Sequence, residues 1–145
     1  MGFFTPPGKT QLPPPERAAF LGKLKAAFAV ESQVVVAFVF GSFARGEPFA
    51  DIDIGVQLDE PFTAMDVARL ATRLWLATGG PSHELDVVPL NDAPPSFRLE
   101  VTQGIAIHQR FEGAAADFKV MAWSEKLDFD AALAAMNSID RAMHP

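Results

Sequence analysis

With 145 residues, of which 49% are hydrophobic and 21% charged, the chain suits one domain with a single core and is too apolar for overall disorder. A formal net charge of −6 disfavours long nucleic acid as a substrate, because affinity for phosphate backbones comes from Lys and Arg. The absence of cysteine excludes disulfides and thiolate metal sites, and makes a cytoplasmic home the simplest expectation.

Five prolines fall within the first fifteen residues, so residues 1–15 are expected to form an extended or mobile extension that adds little to the core. Its first residues, Met1 to Pro7, lack the basic start and sustained apolar stretch of a secretory signal. The domain proper is expected to span residues 16–145 and to end in a helical tail. From Glu16 to Ala29, apolar Phe20, Leu21, Leu24, Ala27 and Phe28 recur at helical spacing. Val34 to Phe40 is uninterrupted, β-branched and aromatic, which predicts a strand buried on both faces. It is also the longest apolar run, far short of the roughly 20 residues that a membrane-spanning helix needs.

Gly41-Ser42 breaks this strand. Asp51 to Leu58 then alternates so that Asp51 and Asp53 share a face. Thr63 with Asp66 resembles a capping pair, followed by a helix whose buried stripe is Val67, Leu70, Ala71, Leu74 and Trp75 and which Gly79-Gly80-Pro81 ends. Glu84 to Val88 reads as a strand, Pro94 to Gln103 as a short helix, Ile105 to Ile107 as an edge strand, and the chain after Gly113 as helical. The alternation predicts an α+β domain with a small mixed sheet covered by helices on one face, leaving the other face for the site.

Two aspartates on one strand face repel, and a divalent cation relieves the conflict. Mg²⁺ prefers oxygen ligands and binds through one or two carboxylates together with substrate phosphates. Asp86, on a neighbouring strand, would complete a two-ion arrangement able to stabilise the entering and leaving oxygens of an in-line displacement. Gly41 and Ser42, at a strand-to-helix turn, offer backbone N–H groups, close approach and a hydroxyl to a phosphate tail, and Arg45 offers a charge.

The run Phe40-Gly41-Ser42-Phe43-Ala44-Arg45-Gly46-Glu47, followed by Asp51-Ile52-Asp53-Ile54-Gly55-Val56, resembles the signature of the DNA polymerase beta superfamily, in particular its minimal nucleotidyltransferases (MNT). Leu85 to Asn91 resembles the third-aspartate strand of that group, and Ala93 to Gln109 the helix and strand that follow. Eight residues separate Ser42 from Asp51, fewer than the family usually has, and Ala50 stands where it usually has Ser or Thr, so a tighter turn is expected.

The resemblance implies a polymerase-beta-like fold with metal ligands and catalytic groups at Asp51, Asp53 and Asp86, nucleotide contacts at Gly41, Ser42 and Arg45, two Mg²⁺ ions and ATP as donor. Small acidic members resemble the antitoxins of two-gene modules whose partner is a helical HEPN toxin, which implies AMP transfer to a tyrosine of that toxin. This chain has no tyrosine to modify on itself. The competing expectations are adenylylation of a small molecule such as an aminoglycoside, and a binding module that neutralises its partner by contact alone. A homo-oligomer is left open.

His83, His108 and His144 show no metal-ligand spacing and read as structural or surface residues, His83 being nearest in sequence to the site. Phe118, Met121, Trp123 and Met136 offer either core contacts, the favoured reading, or an apolar surface for a partner.

Overall fold

A computed structural model describes residues 5–144; the first four residues of the opening stretch and Pro145 lie outside it. The element order is α1 (Pro14–Phe28), β1 (Val34–Phe40), α2 (Gly41–Ala44), β2 (Ile52–Leu58), α3 (Ala64–Ala77), β3 (Leu85–Pro89), α4 (Pro95–Thr102), β4 (Ile105–Gln109) and α5 (Ala114–Met143). The strands form one mixed sheet in the order β3-β2-β1-β4, with β1 antiparallel to β2 and β4, and β2 parallel to β3. A parallel pair needs a crossover rather than a hairpin, and α3 supplies it. α3 starts as the Thr63 and Asp66 pairing implies: each side chain accepts a backbone N–H of the other, at 3.1 and 2.8 Å.

Strand alternation sorts the sheet into two faces. Ile52, Ile54, Val56 and Leu58 of β2 join Ala37 and Val39 of β1 beneath Phe20, Leu24 and Phe28 of α1 and Leu70 and Leu74 of α3. Asp53, Gly55 and Gln57 therefore point the other way. That second face carries a smaller cluster in which Val36 and Phe38 meet Leu90, Val101 of α4 and Ala114, Ala115 and Phe118 of α5. Helical cover is thus not confined to one face, and the site occupies only the end of the second face. Gly55 admits α4 there, since a Cβ on it would lie 2.7 Å from Val101 Cγ1.

The structure differs from the sequence reading elsewhere too. The proline-rich start does contribute to the body: Thr10 and Phe49 exchange two backbone hydrogen bonds of 2.8 Å, and Leu12 packs against the main core. Trp75 is not in the buried stripe of α3 but is 38% exposed, its indole N–H donating to the Pro81 carbonyl at 2.8 Å, so it covers the turn after the helix. Phe118 is core, whereas Met121, Trp123 and Met136 are exposed along α5. No helix among the described residues is long and apolar enough to cross a membrane.

Candidate active site

β1 delivers the chain at Phe40 into the single helical turn Gly41–Ala44. Gly41 sits at φ +78°, a left-handed conformation that side chains resist, and a Cβ there would lie 2.3 Å from Oδ2 of Asp53. The Gly41 backbone is therefore packed directly on that carboxylate. Phe43 anchors the turn edge-on against Phe20 and Phe49, with ring centroids 5.6 and 4.9 Å away. Arg17 of α1 clamps it from behind: Nη2 donates to the Phe43 and Ala44 carbonyls at 3.2 and 2.7 Å, and the guanidinium lies 5.4 Å from the Phe43 ring centre. Those hydrogen bonds add to the partners of the carbonyls at the end of the turn, of which that of Phe43 also accepts the Gly46 N–H at 3.1 Å.

The short connection from Ser42 to Asp51 closes through Glu47 N–H donating to the Ser42 carbonyl at 3.0 Å, Gln11 Nε2 donating to the Gly46 carbonyl at 3.0 Å, and the bridge between Thr10 and Phe49. A loop with fewer residues is thus held by the N-terminal segment.

Asp53 and Asp86 are direct partners in the parallel register of β2 and β3, and Asp53 also faces Phe40 of β1. Partners in a ladder point to the same side, so the two carboxylates share the second face. Asp51 stands one residue before β2 and is exposed. Burial holds the Asp53 carboxyl above the usual carboxylate range, and the negative charges of Asp86 and Asp51 push it further, with Arg45 opposing them. The negative charges of Asp86 and Asp51 thus act on Asp53.

Among the described residues, no three His, Cys, Asp or Glu side chains are gathered tightly enough to cage a metal ion by themselves. The donor set nonetheless suits Mg²⁺, which needs only one or two protein carboxylates when phosphate oxygens and water complete its shell. Asp53 with Asp86 or Asp51 offers that, and the raised affinity of Asp53 for a proton is what a cation would replace.

Arg45 is exposed and paired with Glu47 at 3.1 Å. It borders a cleft of about 180 Å³ formed on the β4 side of Gly41 by Phe40, Glu100, Gly104 and Ile105 among others. Arg17 and Glu100 are the residues near the site that sequence reasoning missed. Only a helical arginine preceding the motif by 24 positions could have signalled Arg17, and nothing local does so. The histidines stay outside the site: His83 packs edge-on against Phe49 at 5.0 Å, His108 stacks on Phe28 and is held below its usual pKa by burial, and His144 is exposed just after α5.

The chain belongs to the polymerase beta nucleotidyltransferase family, whose model matches residues 22–112. No curated protein matches it in sequence. Among solved structures it is similar to a chain of the complex between tri-AMPylated HEPN toxin and MNT antitoxin of Shewanella oneidensis, with 20% identity and a TM-score of 0.64, covering 88% of this chain and 98% of that one. A chain of a toxin–antitoxin complex with AMP-PNP has 21% identity and a TM-score of 0.66 over 85% of this chain and 98% of that one. A chain of the MntA–HepT toxin–antitoxin complex has 20% identity and a TM-score of 0.62 over 87% and 98%. These likenesses show the fold.

Proposed function

We propose that this nucleotidyltransferase transfers AMP from ATP to a hydroxyl of a HEPN-type toxin and so acts as its antitoxin. The observation that carries the reading is the Gly41 backbone packed on Asp53, itself in register with Asp86: a strand-to-helix turn and a carboxylate pair meet at one point. The similar folds in AMPylated and AMP-PNP-bound toxin–antitoxin complexes support the partner and the donor.

In this reading the backbone N–H groups of the Gly41–Ala44 turn and the Ser42 hydroxyl hold the β- and γ-phosphates, with Arg45 close enough to add charge after releasing Glu47. Asp51, Asp53 and Asp86 would hold Mg²⁺, which when bound neutralises the triphosphate and stabilises departing pyrophosphate. Asp86, at the strand facing Asp53, orients the acceptor hydroxyl and takes its proton. The hydroxyl oxygen forms a bond to the α-phosphorus as the bond to pyrophosphate breaks.

Intact-mass analysis of the two proteins after incubation with ATP and Mg²⁺ tests the reading. The expected result is added AMP on the toxin and none on this chain, which has no tyrosine. Inhibition of the toxin without any gain in mass would replace transfer by neutralisation through contact, and AMP found only on a small molecule would move the acceptor. Calorimetry should also show ATP binding weakened by at least about tenfold on chelation of divalent cations, since triphosphate and carboxylates then repel. Equal affinity in both conditions would remove the metal from the site.

A further inference from the structure

We propose that Arg17 is a positioning residue of the nucleotide site, one that seats the Gly41–Ala44 turn on the Asp53 carboxylate; this rests on the function proposed above. The Arg17 side chain is half-buried and pairs with no carboxylate among the described residues. Its fork is directed at main chain instead. Nε and Nη2 both donate to the Phe43 carbonyl, at 3.4 and 3.2 Å, and Nη2 also donates to the Ala44 carbonyl at 2.7 Å. A planar fork lying 5.4 Å from the Phe43 ring centre fixes the two carbonyls relative to each other as well as to α1, which a single ammonium cannot do.

The support runs back to the core. Phe20, one helical turn after Arg17, meets the Phe43 ring edge-on, and Leu24 and Phe28 hold the same helix on the sheet with no exposure. α1 therefore grips the turn at two points, ring against ring and guanidinium against carbonyls.

The turn needs that grip, because one helical turn is not stable on its own. Its own bonds are few: the N–H groups of Arg45, Gly46 and Glu47 donate to the carbonyls of Gly41, Phe43 and Ser42 at 3.2, 3.1 and 3.0 Å. The Ala44 carbonyl has no partner but Arg17 among the described residues. The fit against the carboxylate also leaves no slack, since a Cβ on Gly41 would lie 2.3 Å from Asp53 Oδ2. A drift of the turn by about an ångström would therefore change the approach of both the carboxylate and any phosphate beside it. Gln11 holds the same loop further on, at the Gly46 carbonyl, and both Arg17 and Gln11 precede the family-matched stretch 22–112. The segment before the family motif thus acts on the site that the motif builds.

Three measurements on the full chain test this: binding of α,β-methylene ATP in Mg²⁺, whose link between the α- and β-phosphorus cannot be cleaved, single-turnover AMP transfer, and amide hydrogen exchange. Arg17→Ala should weaken binding of the analogue at least about tenfold and slow transfer about a hundredfold, with affinity for the acceptor unchanged. Amides of Arg45, Gly46 and Glu47 should exchange at least about tenfold faster, while those of Ile54 and Val56 in β2 keep parental rates. Arg17→Lys retains the charge but not the fork and should recover only part of the loss. Arg73→Ala removes an arginine that binds Glu31 at 2.8 and 2.9 Å away from the turn, and should leave all three readouts at parental values. Parental binding and exchange in Arg17→Ala overturn the proposal while leaving the proposed function intact. Full recovery by Arg17→Lys overturns it in favour of charge alone, and equal losses in Arg73→Ala overturn it in favour of general destabilisation. A parent that binds no analogue overturns the nucleotide reading and this one together. A parent that binds the analogue but transfers AMP to nothing overturns the transfer alone, and faster loop exchange with weaker binding in Arg17→Ala then still supports the positioning role.

Discussion

Asp53→Asn is expected to lower AMP transfer by about a thousandfold or more while the metal-free fold becomes equally or slightly more stable. The activity loss follows from removing the charge of the central carboxylate, since each ~1.4 kcal/mol of lost transition-state stabilisation is a factor of ten in rate. The stability gain follows from the direction of its titration. Burial and the neighbouring aspartates raise the folded pKa of Asp53. A carboxyl whose folded value is raised contributes stability at pH below its unfolded value, and that contribution is lost as pH rises through the folded value. At neutral pH the ionised side chain therefore opposes folding, and Asn removes the opposition. In chelator the parent should melt at higher temperature as pH is lowered from neutrality toward the Asp53 titration, and the variant should show a shallower dependence. Single-turnover transfer and melting curves from about pH 5 to 7.5 check both halves; a well-folded variant with parental transfer would sink the assignment of Asp53.

Gly41→Ala should destabilise the protein by about 1–3 kcal/mol and abolish transfer. Two causes act together: the left-handed φ of +78° strains any side chain, and the new methyl would sit 2.3 Å from Asp53 Oδ2, so the carboxylate must swing away from its position opposite Asp86. The causes separate in a double-mutant cycle. Asp53→Ala removes the oxygen that the methyl strikes but leaves the backbone strain, so Gly41→Ala should cost less in that background, by about 1 kcal/mol. Urea denaturation of the four proteins measures the difference. Strict additivity would mean that Gly41 serves backbone conformation alone.

Much of the scaffold was legible because it is written locally. Val34 to Phe40 is a continuous β-branched and aromatic run, and the strand occupies those residues because they are central in the sheet and buried from both sides. Thr63 and Asp66 declare a helix start through contacts only three residues apart. The spacing of Asp51 and Asp53 places both near one face, but that Asp86 stands directly opposite Asp53 was not legible, because no local rule sets which residues of two strands separated by a helix will meet. Arg17 and Thr10 were invisible for the same reason: their partners lie between 26 and 39 residues away, and proline content alone argued for a passive segment. Trp75 misled in the opposite sense, since helical spacing places it near Leu74 yet its N–H finds the Pro81 carbonyl only at the surface.

The parallel pairing of β2 with β3 has a consequence for variation. Asp53 and Asp86 are held opposite each other by the ladder from Ile52 and Leu85 to Val56 and Pro89, while the residues that join the strands, α3 and the Gly79-Gly80-Pro81 turn, stay on the other face and beyond its edge. The crossover is thus fixed through α3, whose Leu70 and Leu74 are core, and is free to lengthen only at its exposed turn. Residues inserted at the exposed Gly79 lengthen the crossover without moving either carboxylate, whereas a single residue inserted within β2 or β3 turns one aspartate to the opposite side of the sheet. Insertions therefore have room at Gly79 that they do not have a few positions away on either strand.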